Sequence, residues 1–386
     1  MFEEHLKKLD DQHLLRRLQT IASATGPTVM LNGREIILLS SNNYLGLATH
    51  PTVVKAAIDA TRVYGTGSGA ARLVCGTLTP HESLEATLAR FKGTEAALAF
   101  GAGYLANISV IPALIGKDGL IFADRLCHAS LIDGCRLSGA TFRVYRHRDM
   151  NHLEQLLARR RTARRTLIVT DGLFSMDGDI APMKDLAQLA EQYGAALYVD
   201  DAHGTGILGR TGRGTLEHCE VESRIPYHMG TLSKAIGCAG GYLVGSIDFI
   251  AYLVNTCRGF IYTTAPPPAS AAAATAAIQV LEQEPERRAR LWRNRDRLAQ
   301  GLARLGFRLA ASESPILPVI VGDPDQAMNL AQALLTHGVY APAIRPPTVP
   351  PATSRIRFTI TADHTNGHID GALAALERAG RSLNLL

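Results

Sequence analysis

Seven short apolar runs pace the middle of the chain: AALAF (96–100), DGLIFAD (118–124), ATFRVYR (140–146), TLIVTDG (166–172), AALYVDDAH (195–203), YHMGTLSK (227–234) and GGYLVGS (240–246). Helix-period stretches alternate with them. PMKDLAQLAEQYG (182–194) carries Leu186, Leu189 and Ala190 on one face and Gly194 as its stop. Strands alternating with helices of this length predict an α/β fold: a large, mostly parallel sheet with helices on both faces. Such a sheet gathers ligands at the C-terminal ends of its strands, so the polar residues there are the first place to look for chemistry.

The flanking segments read differently. Residues 3–23 have the pattern of an amphipathic helix. TVML, the turn Asn32–Gly33 and EIILLS read as a hairpin. The Ala-rich stretch 269–306 reads as one or two long helices leading out of the large domain. Beyond it, FRLA, ILPVIVG and RIRFTIT alternate with DQAMNLAQALLTHG and GHIDGALAALERA, the texture of a small α/β lobe. The expected division is residues 1–39 as an N-terminal helix and β segment, 40–280 as the large domain, and 281–386 as the small one. A formal charge of +5 does not point to nucleic acid. The N-terminus mixes both charge signs and lacks a signal-peptide core. No window reaches the ~18 apolar residues that span a bilayer. Six cysteines without a C-x-x-C pair fit reduced thiols. The expectation is a soluble cytoplasmic enzyme with neither a nucleic-acid nor a membrane partner.

Four polar clusters fall at expected strand ends: GAGY (101–104), DGLFSMDGD (171–179), DDAH (200–203) and GTLSK (230–234). The last holds one charged side chain, Lys234, among Gly, Ala, Ser, Thr and Cys. A surface lysine is the commoner fate of this residue. The sharper reading is a nucleophile that forms a Schiff base with a carbonyl substrate or with pyridoxal phosphate. That cofactor needs an acid at its pyridine nitrogen, for which Asp200 is well placed, and a phosphate cradle, which Gly101-x-Gly103 before a helix could supply. GTGSGA (65–70) matches the same loose glycine pattern but follows a helix and reads as a turn. His128 and His203 are candidates for the ring's surroundings. A metal at Asp200, Asp201 and His203 is the competing reading, but no second histidine-rich cluster accompanies them and no metal is expected. An acyl-enzyme on Thr231 would need S-D-N and K-T-G partners that do not occur. The basic run RRRTARR (159–165) reads as a solvated helix end. The sharper alternative is a docking patch for an acidic acyl carrier protein, in which case charge reversal weakens only carrier-bound substrate.

With SSNNYLGL (40–47), GTGSGAARLVCGT (65–77), TDGLFSMDGD (170–179), VDDAHGTGILG (199–209) and GTLSKAIGCAGGY (230–242), the chain resembles the α-oxoamine synthases from about residue 10 to its end. These are fold type I pyridoxal 5′-phosphate enzymes that condense an amino acid with an acyl thioester and release carbon dioxide. RGFIYTTAPPP (258–268) and AIRPPTVPPATSRIRFT (343–359) look most like the branch that joins L-alanine to a pimeloyl thioester. The glycine-using branches tend to differ after the DD of residues 200–201. Asp171 stands where some members carry Glu. The resemblance implies that Lys234 holds the cofactor and moves the Cα proton, and that Asp200 pairs with the pyridinium. It places His203 on the phenolic oxygen with Ser175 nearby, and His128 on the ring. It gives the phosphate to Gly103, Tyr104 and Thr231. It implies a homodimer with shared sites, in which Thr263 or Thr264 of the partner subunit completes the phosphate site. Arg357 is the choice for the substrate carboxylate, with Arg355 two residues away as the fallback and Asn42 assisting. Arg16 and Thr348 match positions at the acyl-substrate entrance, although Arg16 could equally be the ordinary polar face of the first helix.

Overall fold

The structure, a computed structural model, describes residues 2–12, 14–160 and 165–386. Strands β1 (Thr28–Leu31) and β2 (Arg34–Leu38) form the expected hairpin. Asn32 and Gly33 both take positive φ, 51° and 74°, as a tight two-residue turn between twisted strands requires. Val29, Leu31, Ile36 and Leu38 are buried together on one face. The first helix is shorter than its sequence pattern: it runs Phe2–Asp11 and buries none of its side chains. Further on, Ala22 N–H donates to the Met30 carbonyl (2.9 Å) and Ile21 bridges Leu31, so sheet pairing takes residues the periodicity assigned to helix.

Two compact units divide the chain. One comprises His50–Ser175 and Ile180–Pro285; the other comprises Met1–Thr49, Met176–Asp179 and Glu286–Leu386. The larger is built on β3 (Ala96–Phe100), β4 (Leu120–Asp124), β5 (Thr141–Tyr145), β6 (Thr166–Asp171), β7 (Ala196–Asp200), β8 (Tyr227–Thr231) and β9 (Gly241–Gly245). They form one sheet in the order β3-β9-β8-β7-β6-β4-β5. From β8 to β5 every pairing is parallel, whereas β9 runs antiparallel to both its neighbours. The connection 232–240 between β8 and β9 is shorter than the roughly dozen residues a parallel crossover needs, so the chain must turn back.

Side chains alternate cleanly between two cores. Ile121, Ala123, Leu167, Val169 and Tyr198 enter one cluster, with Ala106, Val110 and Ile111 from the helix Gly103–Leu114. Leu120, Phe122, Ile168, Leu197 and Val199 enter the other, with Leu186 and Leu189 from the helix Met183–Gln192. The period of two therefore covers both faces of the sheet, as the near-continuous apolar runs imply. Each fully buried Val, Leu, Ile or Phe among them contributes roughly 1.5–3 kcal/mol relative to exposure.

In the smaller unit, β10 (Ile316–Gly322), β11 (Val339–Tyr340), β12 (Ala343–Ile344) and β13 (Ser354–Thr359) complete the strands. β13 pairs antiparallel with β10 and β12, while β11 extends the N-terminal hairpin by pairing parallel with β2. The Ala-rich stretch is two helices, Pro268–Gln283 and Glu286–Leu305. Pro285 separates them, because the residue before a proline is pushed out of helical geometry; Glu284 sits at φ −117°, ψ 61°. Among the described residues, no helix is long and apolar enough to cross a membrane.

Candidate active site

Asp200 ends β7 and is buried at 4% exposure. A carboxylate there needs donors. Asn107 Nδ2 donates to Oδ2 at 2.7 Å and Ala202 N–H to Oδ1 at 2.9 Å. The Asn107 amide is itself fixed: Tyr198 O–H donates to its Oδ1 at 2.9 Å, and its Nδ2 also reaches Ser130 Oγ at 2.8 Å. Ser130 Oγ lies 2.7 Å from His128 Nδ1, which caps the helix Ala129–Leu137 by accepting from Ser130 N–H. His128 is thus tied to Asp200 through Ser130 and Asn107.

Asp171 ends β6 directly opposite Asp200, and its Oδ2 accepts from His128 N–H at 2.8 Å. Burial, and then the Asp200 charge, push the Asp171 carboxyl well above the ordinary range. His128 moves down, chiefly through burial; the Lys234 charge adds to the fall while Asp200 opposes it. Two carboxyl groups, one ammonium and one imidazole therefore act on each other beyond the ends of β4, β6, β7 and β8.

Lys234 stands half-buried just beyond β8 in a tightly tied connection. Leu232 N–H donates to the Gly240 carbonyl (3.0 Å), Cys238 N–H to the Leu232 carbonyl (2.7 Å) and Gly237 N–H to the Lys234 carbonyl (2.9 Å). Thr231 Oγ1 donates to the Gly240 carbonyl at 2.9 Å. The glycine turn sits against this corner. A Cβ on Gly103 would meet Thr231 Oγ1 at 3.3 Å, and one on Gly241 would come within 2.6 Å of Gly103 Cα. Gly103 opens a helix whose N-cap, Ala102, makes no side-chain capping bond. Its first N–H groups are the donors a phosphate takes at a helix N-terminus, with the Thr231 hydroxyl beside them. Thr263, Thr264 and Gly101 line one cleft. His203 is buried after β7, and Ser175 is half-buried after β6. An acid at a strand end, a lysine beyond the next strand and a glycine-opened helix together fit pyridoxal phosphate.

Asp201 faces away from this group, into a bond with Lys92 Nζ (3.2 Å), Thr205 Oγ1 (3.1 Å) and Thr215 N–H (3.0 Å). Among the described residues no group of three or more His, Cys, Asp or Glu is arranged to hold a metal ion.

The other expected substrate residues lie in the smaller unit. Arg357, on β13, donates from Nη1 and Nη2 to Asn42 Oδ1 (3.3 and 3.2 Å) and from Nη1 to Thr359 Oγ1 (3.1 Å). Arg355 is ion-paired with Asp177 and also donates to the Thr353 carbonyl at 3.0 Å. Of the two, Arg355 is the one already holding a carboxylate. Arg16 and Thr348 are brought together, with Nη2 3.5 Å from Oγ1. In the basic run 159–165, residues 161–164 lie outside the described residues.

The sequence reading missed Asn107, Ser130 and Tyr198. A signal was present: Asn107 is a buried amide in the otherwise apolar helix GYLANISVIPAL, and a buried amide implies partners. Asn107→Leu leaves the Tyr198 hydroxyl, Ser130 and Asp200 each short of a bond. We expect it to lower stability by about 1–3 kcal/mol, read from the urea midpoint. An unchanged midpoint would show that the amide does not tie the site together.

The fold is that of the fold type I pyridoxal-phosphate enzymes. The chain belongs to the aminotransferase class I and II family, whose family model matches residues 34–376. It is 50% identical over 384 residues to the 8-amino-7-oxononanoate synthase of Geobacter sulfurreducens, covering 99% of this chain and 98% of that one. Among solved structures it is similar to a serine palmitoyltransferase variant from S. paucimobilis with a bound PLP–myriocin aldimine, at TM-score 0.95 and 35% identity, covering 100% and 98% of the two chains. It is also similar to the 8-amino-7-oxononanoate synthase of Francisella tularensis, at TM-score 0.77 and 28% identity, covering 90% and 98%.

Proposed function

We propose that the protein is a pyridoxal 5′-phosphate-dependent acyltransferase, an 8-amino-7-oxononanoate synthase of biotin biosynthesis. It would join L-alanine to a pimeloyl thioester with loss of carbon dioxide. The observation that carries this reading is the match, at 50% identity over 99% of the chain, to a synthase of that name. The Asp200–Asn107 and Lys234 geometry supports it by offering what such chemistry needs.

Bound pyridoxal phosphate supplies an electron sink for the carbanion at the alanine Cα. Lys234 Nζ would hold the cofactor and would carry the proton at the alanine Cα. Asp200, oriented by Asn107 Nδ2 and Ala202 N–H, would pair with the ring nitrogen. His128 would pack against the ring, and His203 with Ser175 would lie at its phenolic oxygen. Gly103 and Tyr104 N–H and the Thr231 hydroxyl would take the phosphate, completed by Thr263 or Thr264 of the partner subunit. Arg357, oriented by Asn42, grips the alanine carboxylate. Arg16 and Thr348 line the path of the acyl chain.

Two further parts of the reading are the homodimer and the compartment. Large apolar side chains stand exposed at Val63 (74%), Val74 (76%) and Tyr262 (70%), which favours a second copy as their cover. All six cysteines are free, as a reducing cytoplasm would leave them.

The test is product mass. Alanine with pimeloyl-coenzyme A or a pimeloyl carrier protein should give 8-amino-7-oxononanoate, and the visible spectrum should respond to alanine. The likeness to serine palmitoyltransferase favours a sibling synthase as the second reading. A spectral response and product with serine and a long acyl thioester, and none with alanine, would select that sibling instead.

A further inference from the structure

The segment 65–77, GTGSGAARLVCGT, contributes no side chain to the chemistry described above, yet it is tied to both of the turns that the reading gives to phosphate binding. Ala265 N–H donates to the Ala70 carbonyl (3.1 Å), and Ser68 Oγ donates to the Pro266 carbonyl (2.6 Å). His81 Nε2 meets the same carbonyl at 2.8 Å, so two donors clamp the end of the Thr263–Thr264 turn. Arg72 lies at the centre. Its guanidinium is paired through both nitrogens with Glu85, Nη2 to Oε2 at 2.9 Å, while Nε donates to Thr77 Oγ1 at 2.9 Å. Its Cζ lies 5.3 Å from the centre of the Phe260 ring. The pair is largely shielded from solvent, with side-chain exposures of 8% and 15%.

Glu85 carries the connection onward. Its Oε1 accepts from Ala99 N–H at 2.9 Å. Ala99 lies on β3, the edge strand of the large sheet, two residues before Gly101. An edge strand presents N–H groups with no strand to pair them, and here a carboxylate takes one of them. The direction in which the chain leaves β3 into the Gly101–Tyr104 turn is therefore set by Glu85, and Glu85 is oriented by Arg72. On its other side Arg72 stacks on Phe260, three residues before Thr263. Arg72, Gly101, Thr263 and Thr264 line one cleft.

We propose that Arg72, acting through Glu85 and Phe260, is a positioning residue for phosphate binding in the homodimer, holding in one frame the Gly101–Tyr104 turn of its own site and the Phe260–Thr264 turn that the chain would lend to the other subunit's site. A bidentate, stacked guanidinium does this because its plane and its donors are fixed together; an ammonium has neither property. The inference rests on the pyridoxal-phosphate reading.

The experiment compares binding of pyridoxal phosphate with binding of pyridoxal, which lacks the phosphate, to full-length apoprotein. In Arg72→Met the Kd for pyridoxal phosphate should rise roughly tenfold, about the loss of one charge-assisted hydrogen bond. The Kd for pyridoxal should stay put. Arg72→Lys should behave like Arg72→Met. Glu85→Gln, which keeps an oxygen for Ala99 N–H, should reduce the preference for the phosphate form in the same direction but by less. Equal weakening of both ligands would reduce Arg72 to a support of the fold and overturn the proposal. An unchanged preference would overturn it too, and if Arg72→Met fails to fold, Glu85→Gln alone decides by the same criteria. A wild-type protein with no preference for pyridoxal phosphate over pyridoxal is a different failure: it removes the cofactor reading itself, and this proposal with it.

Discussion

Lys234→Ala should yield a colourless protein. The visible absorbance of lysine-bound pyridoxal phosphate disappears, and turnover falls by at least about 10²–10⁴-fold, the share that positioned proton transfer contributes. Loss of the covalent link adds to this. The connection around residue 234 is held by backbone bonds, Leu232 to Gly240 and Cys238 to Leu232, which the substitution leaves intact. The thermal midpoint should therefore stay close to that of the unsubstituted apoprotein. A variant that keeps both its absorbance and its turnover would remove Lys234 from the chemistry.

The second large effect belongs to Asp200→Asn. The change keeps shape but turns a carboxyl group into an amide. One oxygen can still accept from Asn107 Nδ2 or Ala202 N–H, but the new NH2 must then face the other donor. The ring nitrogen loses its anion. We expect the cofactor to be retained through its phosphate while turnover with alanine falls by about 10²–10³-fold, the scale of removing one preorganised electrostatic partner. The neighbours report the change independently. Asp200 raises the Asp171 carboxyl and opposes the fall of His128. Without that charge, Asp171 ionises more readily and His128 protonates at a lower pH, which NMR titration can follow. Normal turnover, or an unmoved His128 titration, would deny Asp200 its role.

What could be read from the chain divides along physical lines. Period-two and period-3.6 patterns are local properties, so β3 to β9 and the helix after residue 182 were legible to within a residue or two. The first helix was not: its periodicity reached residue 23, but pairing with β1 claimed Ile21 and Ala22, and pairing of that kind depends on residues far along the chain. The reversed direction of β9 was hidden in the length of one connection. In the site, residues with distinctive chemistry stood out, Lys234 and Asp200 above all. Asn107 did not, because an amide is ordinary until its three partners are seen to come from separate elements. Arg72 and Glu85 look like a charged pair on any helix surface; only the fold brings Ala99 and Phe260 to them.

The return of the chain from β8 into β9 has a consequence in time. The stretch bearing Lys234 is short, and both its ends are hydrogen-bonded into the middle of the sheet. Loop motions take nanoseconds to microseconds and lid openings longer, whereas an exposed side chain changes rotamer in picoseconds to nanoseconds. On a stand fixed in this way, the role proposed for the Lys234 amine would need only its own side-chain torsions. Amide exchange at Leu232 and Cys238 should then be as slow as in the neighbouring strands, while the lysine side chain stays quick. The moving part of the site is reduced to four methylenes and a nitrogen.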